Sequence, residues 1–287
     1  MWDGTTWTAL RVPRPGSTSL TGVSCPSTGT CLAIGGITLG ESWLPVAESW
    51  NGSAWAIHRT PKPRGATNAQ LSSISCVSAI RCLAVGGNYE SDRYTPFADS
   101  WNGTQWTMVS APSIPAGAIA TTLGSVSCSS RIACTATGSV YTSAGYAALA
   151  ERWDGIYDTA HSRGAGPVFE TLTELWNGTS WIIEPTKRLV YSEFGTVSCV
   201  HGTRCFAMGS QNDFRLPLAE RWTGAKWVVE SSVVTPPRHV DDVAINGISC
   251  TTDNICTTVG SYDGRTPKSG GVSPDYAGTL PLVEQRT

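Results

Sequence analysis

The ten cysteines of this 287-residue chain carry its most reactive side chains, and they form five pairs of one spacing. Five residues separate the two cysteines of every pair, and the first cysteines follow one another at intervals of 51, 52, 71 and 51 residues. Structural zinc sites use closer spacings and need two pairs that converge. The spacing therefore favours a disulfide across a tight turn within each pair. The pairs are Cys25–Cys31, Cys76–Cys82, Cys128–Cys134, Cys199–Cys205 and Cys250–Cys256.

Five disulfides predict an oxidising compartment, so we expect a secreted, periplasmic or cell-surface protein. No charged and apolar leader precedes the first repeat, in which Trp2 already stands. We therefore expect either a domain excised from a longer precursor or a misplaced start.

A carboxylate recurs two residues before the first tryptophan of each repeat's Trp-(Asn/Asp/Thr)-Gly-x-x-Trp motif, which raises the question of acid–base or metal chemistry. A residue present in every repeat is what the repeat itself requires. We therefore interpret these carboxylates as structural, accepting hydrogen bonds from turn N–H groups or an arginine, and we predict no metal site and no cofactor. They are Glu48, Asp99, Glu151 with Glu174, Glu220 and, at the end, Glu284.

The loops that differ between repeats are the better candidates for ligand binding, because they mix aromatic, aspartate and arginine side chains. Solvated loops without a ligand are the competing interpretation. Trp43 lies outside the tryptophan pattern, and we expect it to be free to contact a ligand. The candidate binding residues are Trp43, Tyr89, Asp92, Arg93, Tyr94, Asn212, Asp213, Arg215, Tyr262, Asp263 and Arg265.

Each repeat must position these side chains on four short antiparallel strands, as the repeat at 70–111 shows. Alternating apolar residues precede and follow the cysteine turn, and Asn102-Gly103 predicts a hairpin between the third and fourth strands. The same turn explains the glycosylation sequons at Asn51, Asn102 and Asn177. The paired tryptophans are expected to pack blades together, and the small residues of the second strand to allow their close approach.

A period near 50 residues with four strands per repeat and no helical pattern predicts a single five-bladed β-propeller. A fourth strand at residues 2–10 would complete the last blade and close the ring. The predicted blades are 19–60, 70–111, 121–185, 193–232, and 244–287 with 1–10. Blade 3 contains an additional segment, either a duplicated strand or a surface insertion at about 156–171, and we favour the insertion.

The Gly-Gly that ends the second strand, as at Gly35-Gly36 and Gly86-Gly87, followed by an aromatic-bounded turn, resembles the kelch repeat. The Asn-Gly-x-x-Trp turn resembles a shortened Asp-box of sialidase-type propellers, without the full motif, so no sialidase site is implied. The whole array is similar to uncharacterised secreted bacterial repeat proteins of the actinobacterial kind. These resemblances imply a β-propeller and leave the activity open.

The net charge of −2, with 15% charged residues, argues against a nucleic-acid partner. The sequence contains no apolar run long enough for a transmembrane helix, so we expect no membrane insertion. We expect a monomeric binding module for carbohydrate or a protein partner, acting through the variable loops. The alternatives are a glycan-active hydrolase or lyase, for which Asp92, Asp213 and Asp263 would supply carboxylates, and a structural repeat of a larger surface protein. Whether the protein is an enzyme stays open, with binding alone favoured.

Overall fold

A computed structural model shows that the described part of the chain consists of strands, turns and short connections, with no helix. The described residues are 9, 10, 13, 17–90, 93–109, 118–142, 145–152, 172–176, 181–185, 192–201, 204–211, 216–230, 240–251, 255–265 and 276–286. The all-β prediction is therefore confirmed for these residues.

The first two repeats each form an antiparallel four-stranded sheet, which we call blades 1 and 2. A single parallel bridge between Trp43 and Asn68 joins them into one eight-stranded sheet. The strands are β1 (Ser17–Ser27), β2 (Thr30–Leu39), β3 (Ser42–Trp50), β4 (Trp55–His58), β5 (Asn68–Ser78), β6 (Arg81–Glu90), β7 (Arg93–Trp101) and β8 (Trp106–Val109).

Blade 3 has five strands where the repeat predicts four. Its third strand, β11, pairs with β10 and β13, and β13 also pairs with β12. Both β11 and β12 pair with β13, and the insertion predicted at 156–171 lies outside the described residues, so it stays a prediction. The strands are β9 (Ala118–Ser130), β10 (Ala133–Thr142), β11 (Gly145–Arg152), β12 (Leu172–Trp176) and β13 (Trp181–Pro185).

Blade 4 has four strands, and blade 5 has three among the described residues. Residues 2–8, most of the strand predicted to complete blade 5, lie outside them. The described sheets do not close into a ring, so a count of five blades stays a proposal. The strands are β14 (Glu193–His201), β15 (Arg204–Gln211), β16 (Leu216–Trp222), β17 (Trp227–Val229), β18 (Val240–Cys250), β19 (Cys256–Arg265) and β20 (Tyr276–Arg286).

The five predicted disulfides are all present, each within its own blade. Cys82 stands opposite Trp101 in the sheet, so the disulfide turn and the Trp-to-Trp turn lie at the same end of the blade. We call this end the turn face. The paired tryptophan rings contact each other within one blade, with centroids 5.5 Å apart for Trp101 and Trp106 and 5.8 Å apart for Trp222 and Trp227.

The hairpin between third and fourth strands is a four-residue loop rather than a two-residue Asn-Gly turn. The side-chain oxygen of Asn102 accepts hydrogen bonds from the backbone N–H of Thr104 (3.0 Å) and Gln105 (2.9 Å) and from the Thr104 hydroxyl (2.9 Å). Gly103 has a φ of 100°, which a side chain would strain. The Asn-Gly-Thr sequence is therefore explained by the turn, as predicted.

The serine connects one blade to the next in four of the five Ser-Cys pairs. Its hydroxyl accepts a hydrogen bond from the backbone N–H of the first cysteine in the following repeat, as between Ser75 and Cys128 (2.9 Å). Such bonds satisfy edge-strand N–H groups that no neighbouring strand pairs. The same bond recurs from Cys76 to Ser24, from Cys199 to Ser127 and from Cys250 to Ser198.

The first glycine of the second strand is required within its own blade, and this corrects its predicted role in blade-to-blade packing. A Cβ at Gly86 would overlap the carbonyl oxygen of Gln70 on the adjacent first strand, where the pairing shifts register between Leu71 and Ser73. The bulge brings the two backbones too close for any side chain. The equivalent glycines with the same contact are Gly35, Gly138, Gly209 and Gly260.

Two adjacent glycines give a matched test of this close approach. We expect Gly86→Ala to lower the free energy of unfolding by about 3 kcal/mol or more, because backbone must move to admit the methyl group. Gly87→Ala should cost no more than about 1 kcal/mol, since the nearest atom to its Cβ is a Thr122 methyl carbon at 3.5 Å. Urea denaturation of both variants measures the difference, and equal losses would contradict the assignment.

Candidate functional site

In three consecutive blades, an aromatic residue stands near the start of the third strand. This start lies at the end of the blade opposite the turn face. Trp43 pairs with Thr38, Tyr94 with Tyr89, and Tyr146 with Tyr141. We call Trp43, Tyr94 and Tyr146 the aromatic rim. Trp43 lies outside the pattern of paired tryptophans, as the sequence indicates, and it occupies the position that holds Tyr94 in blade 2 and Tyr146 in blade 3.

Trp43 is fixed by its neighbours in both blades. Its indole lies over Gly36, where a Cβ would overlap the ring. The indole Nε1 donates a hydrogen bond to Gln70 Oε1 (2.7 Å), and its backbone N–H donates to Asn68 Oδ1 (3.0 Å). The residue is half-buried, and its contact with a ligand stays a prediction. The ring is nevertheless presented in a fixed orientation.

The predicted residues Trp43, Tyr89 and Tyr94 come together along one row of the joined sheet. Trp43 pairs with Asn68, Asn68 with Tyr89, and Tyr89 with Tyr94. With strands roughly 4.8 Å apart, the row spans about 14 Å. The two tyrosine rings have centroids 4.9 Å apart, and Tyr94 is 52% exposed. The row thus combines a rigid indole with an exposed phenol.

Polar contacts hold the β6–β7 end in place beneath the tyrosines. The buried Asn88 side-chain oxygen accepts a hydrogen bond from the Thr95 hydroxyl (2.8 Å). Arg93, also a predicted site residue, donates from Nη2 to the Ala118 carbonyl of blade 3 (3.3 Å). Arg93 therefore ties the rim of blade 2 to blade 3, while its residue remains exposed.

The other predicted site residues fall partly outside the described chain. Asp92, Asn212, Asp213 and Arg215 lie outside the described residues. Three more lie on β19, where only their backbone positions are described. They are Tyr262, Asp263 and Arg265. Asp263 pairs with Thr279, and this pair is equivalent in position to Tyr89 and Tyr94 of blade 2.

Sequence reasoning missed Asn68, Gln70 and Tyr141 as members of this end of the sheet. It also missed that Trp43, Tyr94 and Arg215 are equivalent positions, for which the proline two residues after each was a usable signal. Asn68 and Gln70 gave no such signal, because their contact with Trp43 joins two repeats.

The repeated carboxylates are buried, but two of them lack the predicted donors. Glu48, Asp99 and Glu220 are fully buried. The carboxylate oxygens of Glu48 and Asp99 accept no hydrogen bond from the described residues. Burial raises the pKa of Glu48 and raises the pKa of Asp99 to about 7. Both are therefore costly to ionise, and the side chains of Glu151, Glu174 and Glu284 lie outside the description.

The described residues contain no cluster of three or more potential metal ligands. They also contain no helix long and apolar enough to cross a membrane.

No protein-family model matches the chain, and no curated protein does. Among solved structures, the chain is similar to the Hadza microbial sialidase Hz136, with a TM-score of 0.53 and 10% identity over 92% of this chain and 58% of that one. The fold is a β-propeller. The chain thus spans little more than half of the sialidase, and the likeness extends to the fold alone.

The chain is more weakly similar to two other proteins of known structure. One is the fungal lectin of Aleuria aurantia, described as a six-bladed β-propeller with a fucose recognition mode, at a TM-score of 0.45 and 9% identity over 93% of this chain and 78% of the lectin. The other is YCF48 bound to D1 peptide, at a TM-score of 0.39 and 11% identity over 91% of this chain and 81% of YCF48. No family match accompanies the kelch-like and actinobacterial resemblances.

The buried carboxylate of Asp99 predicts a pH-dependent stability of this propeller. Its pKa is about 7 in the folded chain against an ordinary 3.8. The unfolded state therefore loses this proton first as pH rises, and the contribution of Asp99 to stability is fully present below pH 4 and is lost between pH 4 and 7. We expect Asp99→Asn to remove this fall, which amounts to at most about 4 kcal/mol.

Urea denaturation at pH 4 and pH 8 measures the effect. The advantage of Asp99→Asn over the wild type should grow with pH, whereas Glu41→Gln, at an exposed turn, should show no such trend. An advantage that is the same at both pH values would contradict the buried, protonated carboxylate.

Proposed function

We propose that this protein is a secreted or surface glycan-binding propeller, with the aromatic rim as its sugar-binding surface. The observation that carries the proposal is the row from Trp43 to Tyr94, in which an indole and an exposed phenol share one edge of two joined blades. Five disulfides support a place outside the reducing cytoplasm.

A carbohydrate suits this rim because its sugar rings offer apolar C–H faces and hydroxyls together. Aromatic rings provide flat apolar area while keeping a polar atom at the edge. Gln70, Asn68 and Arg93 stand beside the rings and supply amide and guanidinium groups for hydroxyls. Because Trp43 is locked by Gln70 and Gly36, little side-chain entropy is lost on binding.

We propose that the remaining candidates extend the same rim, with Asp92 in blade 2 and the others in blades 4 and 5. Arg215 precedes Pro217 as Tyr94 precedes Pro96, and Asp263 has the register of Tyr89. With Asp92, Asn212, Asp213, Tyr262 and Arg265, they form the proposed polar part of the site. A protein partner, glycan hydrolysis or lysis, and a purely structural role are outcomes that the experiment below separates.

We also propose that blade 5 closes against blade 1 to give a monomeric five-bladed ring, completed by residues 2–10. The support is two open faces at equivalent positions. Leu20 and Val23 of β1 are 40% and 61% exposed, although the matching Leu71 and Ile74 of blade 2 are buried against blade 1. On the other side Val259 is 47% exposed, whereas its counterpart Val85 is fully buried.

Binding is tested with Tyr94→Ala, once a glycan array has supplied a ligand. We expect calorimetric titration to show at least a tenfold loss of affinity, about 1.4 kcal/mol. The free energy of unfolding should stay within about 0.5 kcal/mol, because Tyr94 is exposed. Ile57→Ala, on the outer strand of blade 1, is the control and should bind as the wild type does.

Unchanged affinity of Tyr94→Ala for the glycan would overturn the rim as the site. Release of shortened glycan during the titration would instead favour the hydrolase or lyase. An array without any binding glycan would leave a protein partner or a structural role as the better explanation and overturn the carbohydrate proposal.

Closure is tested at the serine that has no following blade along the chain. If blade 5 packs on blade 1, the Ser249 hydroxyl should accept from the Cys25 N–H as Ser75 does from Cys128. Ser249→Ala should then lower the free energy of unfolding by about 1 kcal/mol, as Ser75→Ala should. Ser27→Ala, at the exposed end of β1, is the control, and a Ser249→Ala variant as stable as that control would contradict closure.

A further inference from the structure

A cleft of about 340 Å³ opens on the turn face between blades 2 and 3. It lies between the disulfide turns of the two blades, and Leu83, Trp101 and Val109 contribute apolar walls. Strand β6 runs from Arg81 at this cleft to Glu90 at the opposite end, a distance of about 30 Å at 3.3 Å per residue. The cleft is therefore separate from the aromatic rim.

Two arginines, one from each blade, line the cleft. Arg81 and Arg131 are exposed, and neither has an ion-pair partner among the described residues. None of the residues that line the cleft is acidic. The disulfide turns 76–82 and 128–134 and the Trp-to-Trp turn 102–105 contain no aspartate or glutamate either. This part of a chain with net charge −2 is thus locally cationic.

The remaining polar groups of the cleft also favour an acceptor-rich ligand. The side-chain oxygen of Asn102 is occupied by three hydrogen bonds within its turn, so its amide Nδ2 is the group left to face a ligand, as a donor. Guanidinium groups pair with carboxylate, sulfate or phosphate oxygens through two parallel hydrogen bonds. The cleft therefore presents donors at its mouth beside an apolar wall.

The turns that carry the arginines are held rigidly. The Cys76–Cys82 and Cys128–Cys134 disulfides clamp them. Trp101 Nε1 donates a hydrogen bond to the Ala79 carbonyl (3.1 Å), which attaches the blade 2 turn to its own sheet. A ligand that binds both arginines would thus order side chains but not backbone, which limits the entropic cost.

Among the three junctions from blade 1 to blade 4, only the junction of blades 2 and 3 has arginine at both of these repeat positions. Arg81 stands one residue before a second cysteine, and Arg131 three residues after a first cysteine. At the junction of blades 1 and 2 the equivalent residues are Thr30 and Ala79, and at that of blades 3 and 4 they are Ala133 and Gly202. The cleft is therefore a local feature and not a property of the repeat.

We propose that the cleft between blades 2 and 3 binds an acidic saccharide, with Arg81 and Arg131 on the carboxylate or sulfate of one sugar unit. Its volume is at the small end of ligand sites, which span about 300–1,000 Å³. That size suits a sugar ring against the apolar wall better than a bare inorganic anion. The anionic character rests on the cleft alone, while the choice of a saccharide rests on the proposed glycan-binding function.

The probes are trigalacturonate, a sulfated galactotriose and neutral galactotriose, titrated calorimetrically into the full chain. The test variant is Arg81→Gln/Arg131→Gln. Its control, Arg59→Gln/Arg64→Gln, removes two exposed arginines outside the cleft and changes the net charge equally. We expect one or both acidic probes to bind the wild type and the control with equal affinity. They should bind the cleft variant at least tenfold more weakly. They should also bind the wild type more tightly than neutral galactotriose does. A preference between the two acidic probes identifies carboxylate or sulfate as the recognised group.

Four results would overturn the proposal. They are no binding of either acidic probe, unchanged binding by the cleft variant, equal loss in both arginine variants, and inorganic sulfate that competes as strongly as the saccharide. Thermal melting checks that the cleft variant is folded, which we expect because both side chains are exposed. Tyr94→Ala separates the two sites, because this variant should still bind the acidic saccharide. If Tyr94→Ala lost that binding while the cleft variant kept it, the acidic saccharide would be assigned to the rim instead.

Discussion

The hydrogen bond from a first-cysteine N–H to the serine of the preceding blade is the interaction on which the assembly depends. First strands of neighbouring blades pack side by side without a backbone ladder, so their N–H groups need another acceptor. The serine hydroxyl supplies it four times, from Cys76 to Cys250, at 2.9–3.1 Å. Each bond also fixes how far one blade is shifted along the next.

A constant shift has a direct consequence for both candidate sites. When every blade is held at the same height, equivalent residues of different blades meet at the same end. This places Trp43 beside Asn68 at the rim and Arg81 across from Arg131 at the turn face. Both sites lie at blade junctions, where a side chain from one repeat completes a surface begun by another.

Features that act within one repeat could be predicted from its residues, and features that join two repeats could not. The disulfides, the tryptophan pairs and the Asn102 turn are local and follow from spacing and turn chemistry. The role of Ser75 depends on an N–H that is 53 residues away, and the Trp43 contact with Gln70 crosses 27 residues. The Gly86 requirement arises from a bulge in a neighbouring strand, which the sequence pattern of alternating residues does not reveal.

The turn face was the less promising end by sequence, because its motifs repeat, yet the structure places a cationic cleft there. The two arginines occupy different positions of their repeats and approach each other only when blades 2 and 3 pack. The short disulfides have a second consequence at this face. Closing so small a loop restricts the unfolded chain by roughly 2–2.5 kcal/mol, whereas in the folded chain the same bond holds a seven-residue turn in one shape. Turns of one shape let a single substitution, such as Arg131 where blade 2 has Ala79, change the ligand chemistry of a junction without changing its fold.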